Sequence, residues 1–353
     1  MGKLSVVISA YNEEAKIADC LDSVKWADEI IFVDNSSTDS TAKIAAKFTR
    51  HIYKQKNDPA NIDLQKNFGI EKAAGEWILL LDADERVTPE LAGEIKKVII
   101  GSKTPSDSPL SGGESLSFLP DKEAEPQRAL RLAQSMSLPN ARLLMAEVDR
   151  SGSVNGYWIP RKNIIFGKWI EHSGWYPDYQ LRLFKKGKGK YALAHYHEPL
   201  QVEGETEKLQ EHLIHLNYES ITQFIQRNLE RYAQNEADEL LRKGYVFARE
   251  DAIRFPVKEF LSRYFAREGY KDGFHGLVLA MLMAASHFAV FCSIWEKKKF
   301  IDIDAGVQNF ESLQIELQKA EKEFRYWIYN ERIDTEKNFI KKALLQVKRK
   351  LQV

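Results

Sequence analysis

Asp82 and Asp84 are one residue apart at the end of an apolar run, Trp77 to Leu81, within the stretch Glu76–Glu85. Two carboxylates so spaced can both lean toward one hard cation in a bend. Oxygen donors suit Mg2+ or Mn2+, and a bound diphosphate would supply much of the remaining shell. An isolated Asp-x-Asp is more often a polar turn that ends a strand. What sharpens the chemical reading is where the other acids fall. Tyr11-Asn-Glu-Glu14 follows an apolar run, Leu4 to Ser9, and Asp34-Asn-Ser-Ser-Thr-Asp39 follows another, Glu29 to Val33.

The elements that must carry these clusters alternate. Strands are expected at Leu4–Ser9, Glu29–Val33, Ile52–Tyr53 and the run before Asp82. Helices are expected from about Glu14 to Val24, to about Phe48, from about Leu64 to Ala74, and from Thr88-Pro89-Glu90, which has a capping hydroxyl, proline in the first turn and an acid. The order implies an α/β fold with a mostly parallel sheet and helices on both faces. Ligands on such sheets bind beyond the carboxyl ends of the strands, where the three acidic clusters converge. Neither Gly-x-Gly-x-x-Gly after the first strand nor Gly-x-x-x-x-Gly-Lys is present, which argues against an ordinary dinucleotide fold and a P-loop nucleoside triphosphatase.

Composition narrows the class. Hydrophobic residues are 44% and charged residues 29% of 353, so a substantial core is within reach. Formal net charge is 0, with 51 residues of each sign, and nothing global points to nucleic acid. Two cysteines, Cys20 and Cys292, make neither a disulfide framework nor a zinc cluster and suit a reducing compartment. Residues 101–154 are punctuated by proline and glycine and read as an insertion. Short strands follow at Gly156–Pro160 and Ile164–Phe166, and another is entered from the turn at Pro177-Asp178.

Beyond Glu219 the chain reads as helical. Phe274 to Trp295 holds no Asp, Glu, Lys or Arg and is long enough to cross a bilayer, with Lys297-Lys-Lys299 after it. A buried helix, an interfacial helix and a span all fit. The expectation is an interfacial or partly inserted hairpin on an anionic leaflet. Residues 308–351 read as amphipathic helix: a dimer coil giving a homo-oligomer, a cap folded back on the domain, or a second surface anchor. The expected domains are 1–218, 219–300 and 301–353.

Four segments in order, Val6-Val-Ile-Ser-Ala-Tyr-Asn-Glu-Glu14, Glu29–Asp39, Gln65-Lys-Asn-Phe-Gly69 and Trp77–Asp84, resemble family 2 glycosyltransferases of the GT-A fold. Gly174-Trp-Tyr-Pro-Asp-Tyr-Gln-Leu-Arg-Leu-Phe184, His197-Glu198 and His215-Leu-Asn-Tyr218 are similar to the branch containing lipopolysaccharide-core β-1,4-glucosyltransferases. The resemblance covers roughly residues 4–100 and 155–300. It implies a metal-dependent, inverting transfer of a sugar from a nucleotide diphosphate sugar, UDP-linked, to a saccharide or glycolipid hydroxyl at the cytoplasmic face of a membrane. Two other readings fit: a soluble transferase with a protein or small-glycan acceptor, and a silent carbohydrate-binding protein.

The resemblance also implies roles. Asp34 contacts the base side of the nucleotide, or else caps the next helix. Tyr11 and Glu13 lie near the nucleotide, and Lys66 faces the donor phosphates or is a solvated helix lysine. Asp84 holds Mn2+ or Mg2+, with Asp82 helping through ribose or bound water, and His215 completes the cation site or hydrogen-bonds at the sheet edge. Asp178 is the candidate base, with Glu171 its rival and Glu198 a weaker one. Arg182 neutralises the departing diphosphate or pairs with an acid. Trp175 and Tyr176 form a sugar platform or simply pack.

Overall fold

The computed structural model describes residues 2–58, 62–101, 154–192, 199–302 and 308–352. The insertion expected at 101–154 and the segment His195–Glu198 therefore lie almost wholly outside the described residues. The chain divides into two compact units, Met1–Arg161 with Tyr179–His215, and Lys162–Asp178 with Leu216–Val353.

The first unit is built on β1 (Leu4–Ala10), β2 (Glu29–Asp34), β3 (His51–Lys54) and β4 (Trp77–Asp82), which lie in the order β3-β2-β1-β4. All three pairings are parallel, with Val7 opposite Ile31 and Leu80, and Phe32 opposite Ile52. Both sheet faces are covered, which is why these strands read as continuous apolar runs. Val6, Ile8, Phe32, Leu79 and Leu81 face a core with α1 (Ile17–Asp22) and α4 (Pro89–Ile100). Val7, Ile31, Val33, Ile78 and Leu80 face the other way, onto Ile70 and Ala73 at the end of α3 (Ile62–Lys72). Thr88 caps α4 by accepting from the Leu91 N–H at 3.1 Å, as the sequence predicts.

Beyond β4 the sheet turns mixed. β8 (Asp178–Lys185) joins antiparallel to β4, with Ile78 opposite Phe184. β6 (Val154–Ile165), β12 (Leu213–Tyr218) and β5 (Glu85–Val87) complete the order; β7 (Lys168–Trp169) and β11 (Glu205–Lys208) pair with β6, and β9 (Gly189–Tyr191) pairs with β10 (Leu200–Val202) in a separate sheet. The sheet is thus parallel through its first four strands and again where Glu205–Lys208 runs beside β6. Two short strands expected near 156 and 164 are one strand, β6. The polar run Arg161-Lys-Asn163, which reads as a break, stays in the strand because Arg161 meets a buried carboxylate and Asn163 is fully buried among amide partners.

Several helices are shorter than expected. α1 begins at Ile17 because the Lys16 and Ile17 N–H groups both turn back to the Glu13 carbonyl. α2 (Thr41–Ala45) stops short of Phe48 as its bonds tighten to three-residue spacing, Lys47 to Ile44 and Phe48 to Ala45. α3 starts two residues earlier, at Ile62, and ends at Lys72.

The second unit is largely helical. Helix α5 (Ile221–Ile225) runs through π-type turns, Gln226–Tyr232, into α6 (Ala233–Arg242); α7 (Asp251–Leu261) follows. α8 (Phe274–Lys297) is the apolar stretch, and among the described residues one helix, this one, is long and apolar enough to cross a membrane. It packs on α6 and α7, burying Leu279, Ala280, Val290 and Ile294. Gly276 lets α8 approach the turn at Gly269–Asp272, since a Cβ there would sit 1.7 Å from the Gly269 carbonyl oxygen. The tail forms two helices, α9 (Gln308–Thr335) and α10 (Phe339–Gln352).

Gly75 shows how tightly α3 is tied to the sheet. A Cβ there would lie 2.7 Å from both the Lys3 carbonyl oxygen and the Ser5 nitrogen, backbone atoms that cannot swing aside. Gly75→Ala is expected to lower unfolding free energy by about 1–3 kcal/mol, read by urea denaturation; an unchanged midpoint would contradict this packing.

Candidate functional site

In the first unit the loops after β1 and β2 are laced together by side chain to backbone bonds. Asn12, at φ 53°, accepts from the Thr38 N–H at 2.8 Å, and its own N–H donates to Ser37 Oγ at 3.1 Å. The Glu13 N–H donates to Thr41 Oγ1 at 2.8 Å, and Glu14 accepts from the Ser40 N–H at 2.9 Å. Asp39 accepts from the N–H groups of Glu14 and Thr41 at 3.2 and 2.9 Å. Asp34 is buried, with Oδ1 accepting from the Ser37 N–H at 3.1 Å. This contact makes a turn and not a helix cap, since α2 begins later, at Thr41. Tyr11 stands on the rim, 42% exposed. Asn12, Glu14 and Asp39 supply the lacing, and Asn, Asp, Ser and Thr at strand ends are the sequence signal for such bonds.

At the end of β4 the Asp-Ala-Asp turn is fixed from beneath. Glu85 is fully buried. One of its oxygens accepts from the Asp82 N–H at 3.0 Å; the other accepts from Arg182 at 2.7 Å and Arg161 at 3.1 Å. Arg182 also donates to Asp82 Oδ2 at 2.5 Å, and Lys66 lies 2.8 Å from Asp82 Oδ1. Arg86 clamps the turn's backbone, donating to the carbonyls of Ala83 and Lys16 at 2.8 and 2.7 Å. The structure thus places Lys66 and Arg182 on Asp82 itself. For Arg182 this is the pairing with an acid. Glu85, Arg161 and Arg86 escaped the sequence reading; the only signal was the acid directly after Asp84.

Asp84 Oδ2 lies 3.6 Å from His215 Nε2. The register of β5 and β12 brings them together, because His215 is opposite Glu85 in an antiparallel pair. Two ligands each about 2.1 Å from one ion stand roughly 3.0–3.5 Å apart, so the pair has the chemistry and nearly the spacing for a divalent cation. No group of three or more His, Cys, Asp or Glu converges among the described residues. The protein offers two donors, and a diphosphate and water suit the remaining positions.

In the second unit Asp178 is held by an amide relay. Asn163 Nδ2 donates to Asp178 Oδ2 at 3.2 Å and to the Trp175 carbonyl at 2.7 Å, while Asn163 Oδ1 accepts from Asn217 at 3.1 Å. The loop ahead of it is strapped down: the Glu171 and His172 N–H groups donate to buried Asp272 at 3.2 and 2.9 Å, and Arg263 donates to the Ser173 carbonyl at 2.9 Å. Glu171 keeps an exposed side chain. Trp175 has the Arg263 guanidinium 5.3 Å from its ring centre and Tyr218 edge-on, and Tyr176 meets Trp169 edge-on, so both aromatic rings are packed. Glu198 lies outside the described residues.

Burial alone would raise the Asp82 carboxyl. The Arg182 guanidinium and then the Lys66 ammonium outweigh it and hold the carboxyl well below the usual range. A carboxyl depressed on folding contributes stability that is full above its unfolded value of about 3.9 and is lost as pH falls through the folded value. Asp82→Asn is therefore expected to shrink the loss of stability between neutral pH and pH 3 by about 1 kcal/mol or more, read by denaturant titration at each pH. An acid limb identical to that of the unaltered protein would refute the pairing.

Residues 5–100 match the family model described as glycosyl transferase family 2. An uncharacterised glycosyltransferase of Rickettsia typhi is 38% identical over 28% of this chain and 33% of its own length. The lipopolysaccharide core biosynthesis glycosyltransferase LpsC of Rhizobium meliloti is 24% identical over 83% of this chain and 92% of its own. Glucosyl-3-phosphoglycerate synthase of Mycobacterium tuberculosis, solved with Mn2+ and UDP-glucose, is 22% identical over 28% of this chain and 39% of that one, at a TM-score of 0.24, too low to bear on the fold. The segment running from β1 through α4, residues 5–100, is a family 2 glycosyltransferase domain.

Proposed function

We propose that this protein moves a hexose from a nucleotide diphosphate sugar, UDP-linked, to the hydroxyl of a lipid-linked or lipopolysaccharide-core saccharide at the cytoplasmic face of a membrane. The observation that carries the donor half is the Asp84–His215 pair, set beside a turn that Glu85 and Arg182 hold rigid. Its support on the acceptor side is the likeness to LpsC, which spans most of both chains.

In this reading Asp84 and His215 hold Mn2+ or Mg2+. When bound, the cation supplies charge neutralisation for the donor diphosphate. Asp34, opposite Ala10 in the β1–β2 pair and so at the same sheet edge as Tyr11 and Glu13, faces the base and ribose. A carboxylate can accept from a uracil N–H, and one Asp34 oxygen is engaged with Ser37. Asp82 is a third exposed while its two oxygens meet Lys66 and Arg182. This role for Asp82 is to orient those cations and to present its exposed edge to ribose.

Asp178 takes the acceptor proton. As the acceptor oxygen forms its bond to the anomeric carbon, the bond from that carbon to the diphosphate breaks. The electron pair leaves with the diphosphate, the proton passes to the Asp178 carboxylate, and the centre is inverted. Asn163 favours this assignment over Glu171, because it holds Asp178 by one oxygen. A general base in a fixed place is commonly worth 10²–10⁴-fold in rate.

The test is transfer from UDP- and GDP-sugars to a saccharide acceptor, with product stereochemistry read by NMR. Asp178→Asn is expected to lose transfer by about 10²-fold or more while UDP binding is retained. Loss of transfer in Glu171→Gln with Asp178→Asn active would reverse the two roles. Retention of configuration, or indifference of the purified protein to every nucleotide diphosphate sugar, would end the proposal.

A further inference from the structure

Helix α10 is an amphipathic helix whose apolar side is uncovered among the described residues. Phe339 is 84% exposed, Ile340 70%, Leu344 56% and Val347 54%. Residues at i, i+4 and i+7 share one face of an α-helix, so Ile340, Leu344 and Val347 form a stripe about 60° wide. Its flanks are basic: Lys341 and Lys348 lie on one side and Lys350 on the other, all exposed. Phe339–Gln352 holds five Lys and Arg and no acid.

The opposite side of α10 is spoken for. Arg349 turns back to α9, where it donates to Asn330 and stacks its guanidinium 5.4 Å from the Tyr326 ring centre. The helix is thus anchored by one face, and its apolar stripe with lysine margins is presented outward.

We propose that α10 docks this protein on an anionic lipid bilayer, with Ile340, Leu344 and Val347 entering the acyl boundary and Lys341, Lys348 and Lys350 meeting anionic headgroups. An apolar stripe between rows of lysine is the pattern of a helix lying in the interface plane. The charge argues against the other obvious occupant, a second copy of α10, which would set five cations against five cations with no acid between them. The proposal rests on the membrane location in the functional reading, and not on its sugar chemistry.

The test is flotation of the full chain with vesicles of phosphatidylcholine alone and of phosphatidylcholine with phosphatidylglycerol. The protein is expected to float with the anionic vesicles only and to be released by high salt. Each of Lys341→Glu, Lys348→Glu and Lys350→Glu is expected to cut partitioning about fivefold or more, since a surface lysine contributes about that factor. Leu344→Glu is expected to abolish flotation. These side chains are exposed, so circular dichroism and UDP binding should match the unaltered protein. Flotation unaffected by all four changes, or equal on neutral vesicles, would overturn the proposal. So would a dimer in solution that Leu344→Glu splits without any change in flotation. Failed flotation with UDP binding intact defeats only this inference; flotation with no UDP binding defeats only the transferase reading.

Discussion

A guanidinium shared between two carboxylates sets the geometry of the turn at the end of β4. Arg182 reaches from β8 to Asp82 and Glu85, and it is almost fully buried with Glu85 beneath it. Removing one partner of such a buried pair typically costs about 3–5 kcal/mol, because it strands the other charge. The arrangement has a consequence for the turn. With Asp82 pinned through its side chain by Lys66 and Arg182, and through its N–H by Glu85, the next acid, Asp84, is directed toward His215. The first acid of the pair is structural in its contacts, and the second is the one left beside a metal-capable imidazole.

The parallel half of the sheet explains why the acids gather where they do. Val6 to Ile8, Ile31 to Val33 and Ile78 to Leu81 are buried on both faces, so each strand stays apolar until its carboxyl end. There the chain must turn, and polar side chains satisfy the exposed backbone. Asn12, Glu14, Asp39 and Thr41 join the first two turns to each other and leave Tyr11 standing at the rim. The loops after β1 and β2 are therefore stiffened by their own side chains.

The alternation of strand and helix over the first hundred residues was legible because two-sided burial writes unbroken apolar runs into the sequence. The Asp82–Asp84 turn was legible for the same reason, as an abrupt end to such a run. What escaped notice depends on contacts distant in sequence. Glu85 looks like one more acid until Arg182, 97 positions away, and Arg161, 76 away, are seen on it. Asn163 looked like part of a break between strands; burial against Trp175, Asp178 and Asn217 makes it a relay. Lys66 reads as a donor-phosphate contact or a solvated helix lysine, and its 2.8 Å approach to Asp82 has no local signature. The ends of α1 and α2 were misplaced because turn bonds to Glu13, Ile44 and Ala45 compete with continued helix.

The central claim is that Asp84 and His215 together hold the cation that binds the donor diphosphate. Calorimetric titration of UDP with and without Mn2+ tests it most directly, on the unaltered protein and on Asp84→Ala and His215→Ala. The account predicts that Mn2+ tightens UDP binding at least about tenfold in the unaltered protein, a coupling of about 1.4 kcal/mol, and that either substitution removes most of that gain. UDP binding that Mn2+ strengthens equally in all three proteins would contradict it.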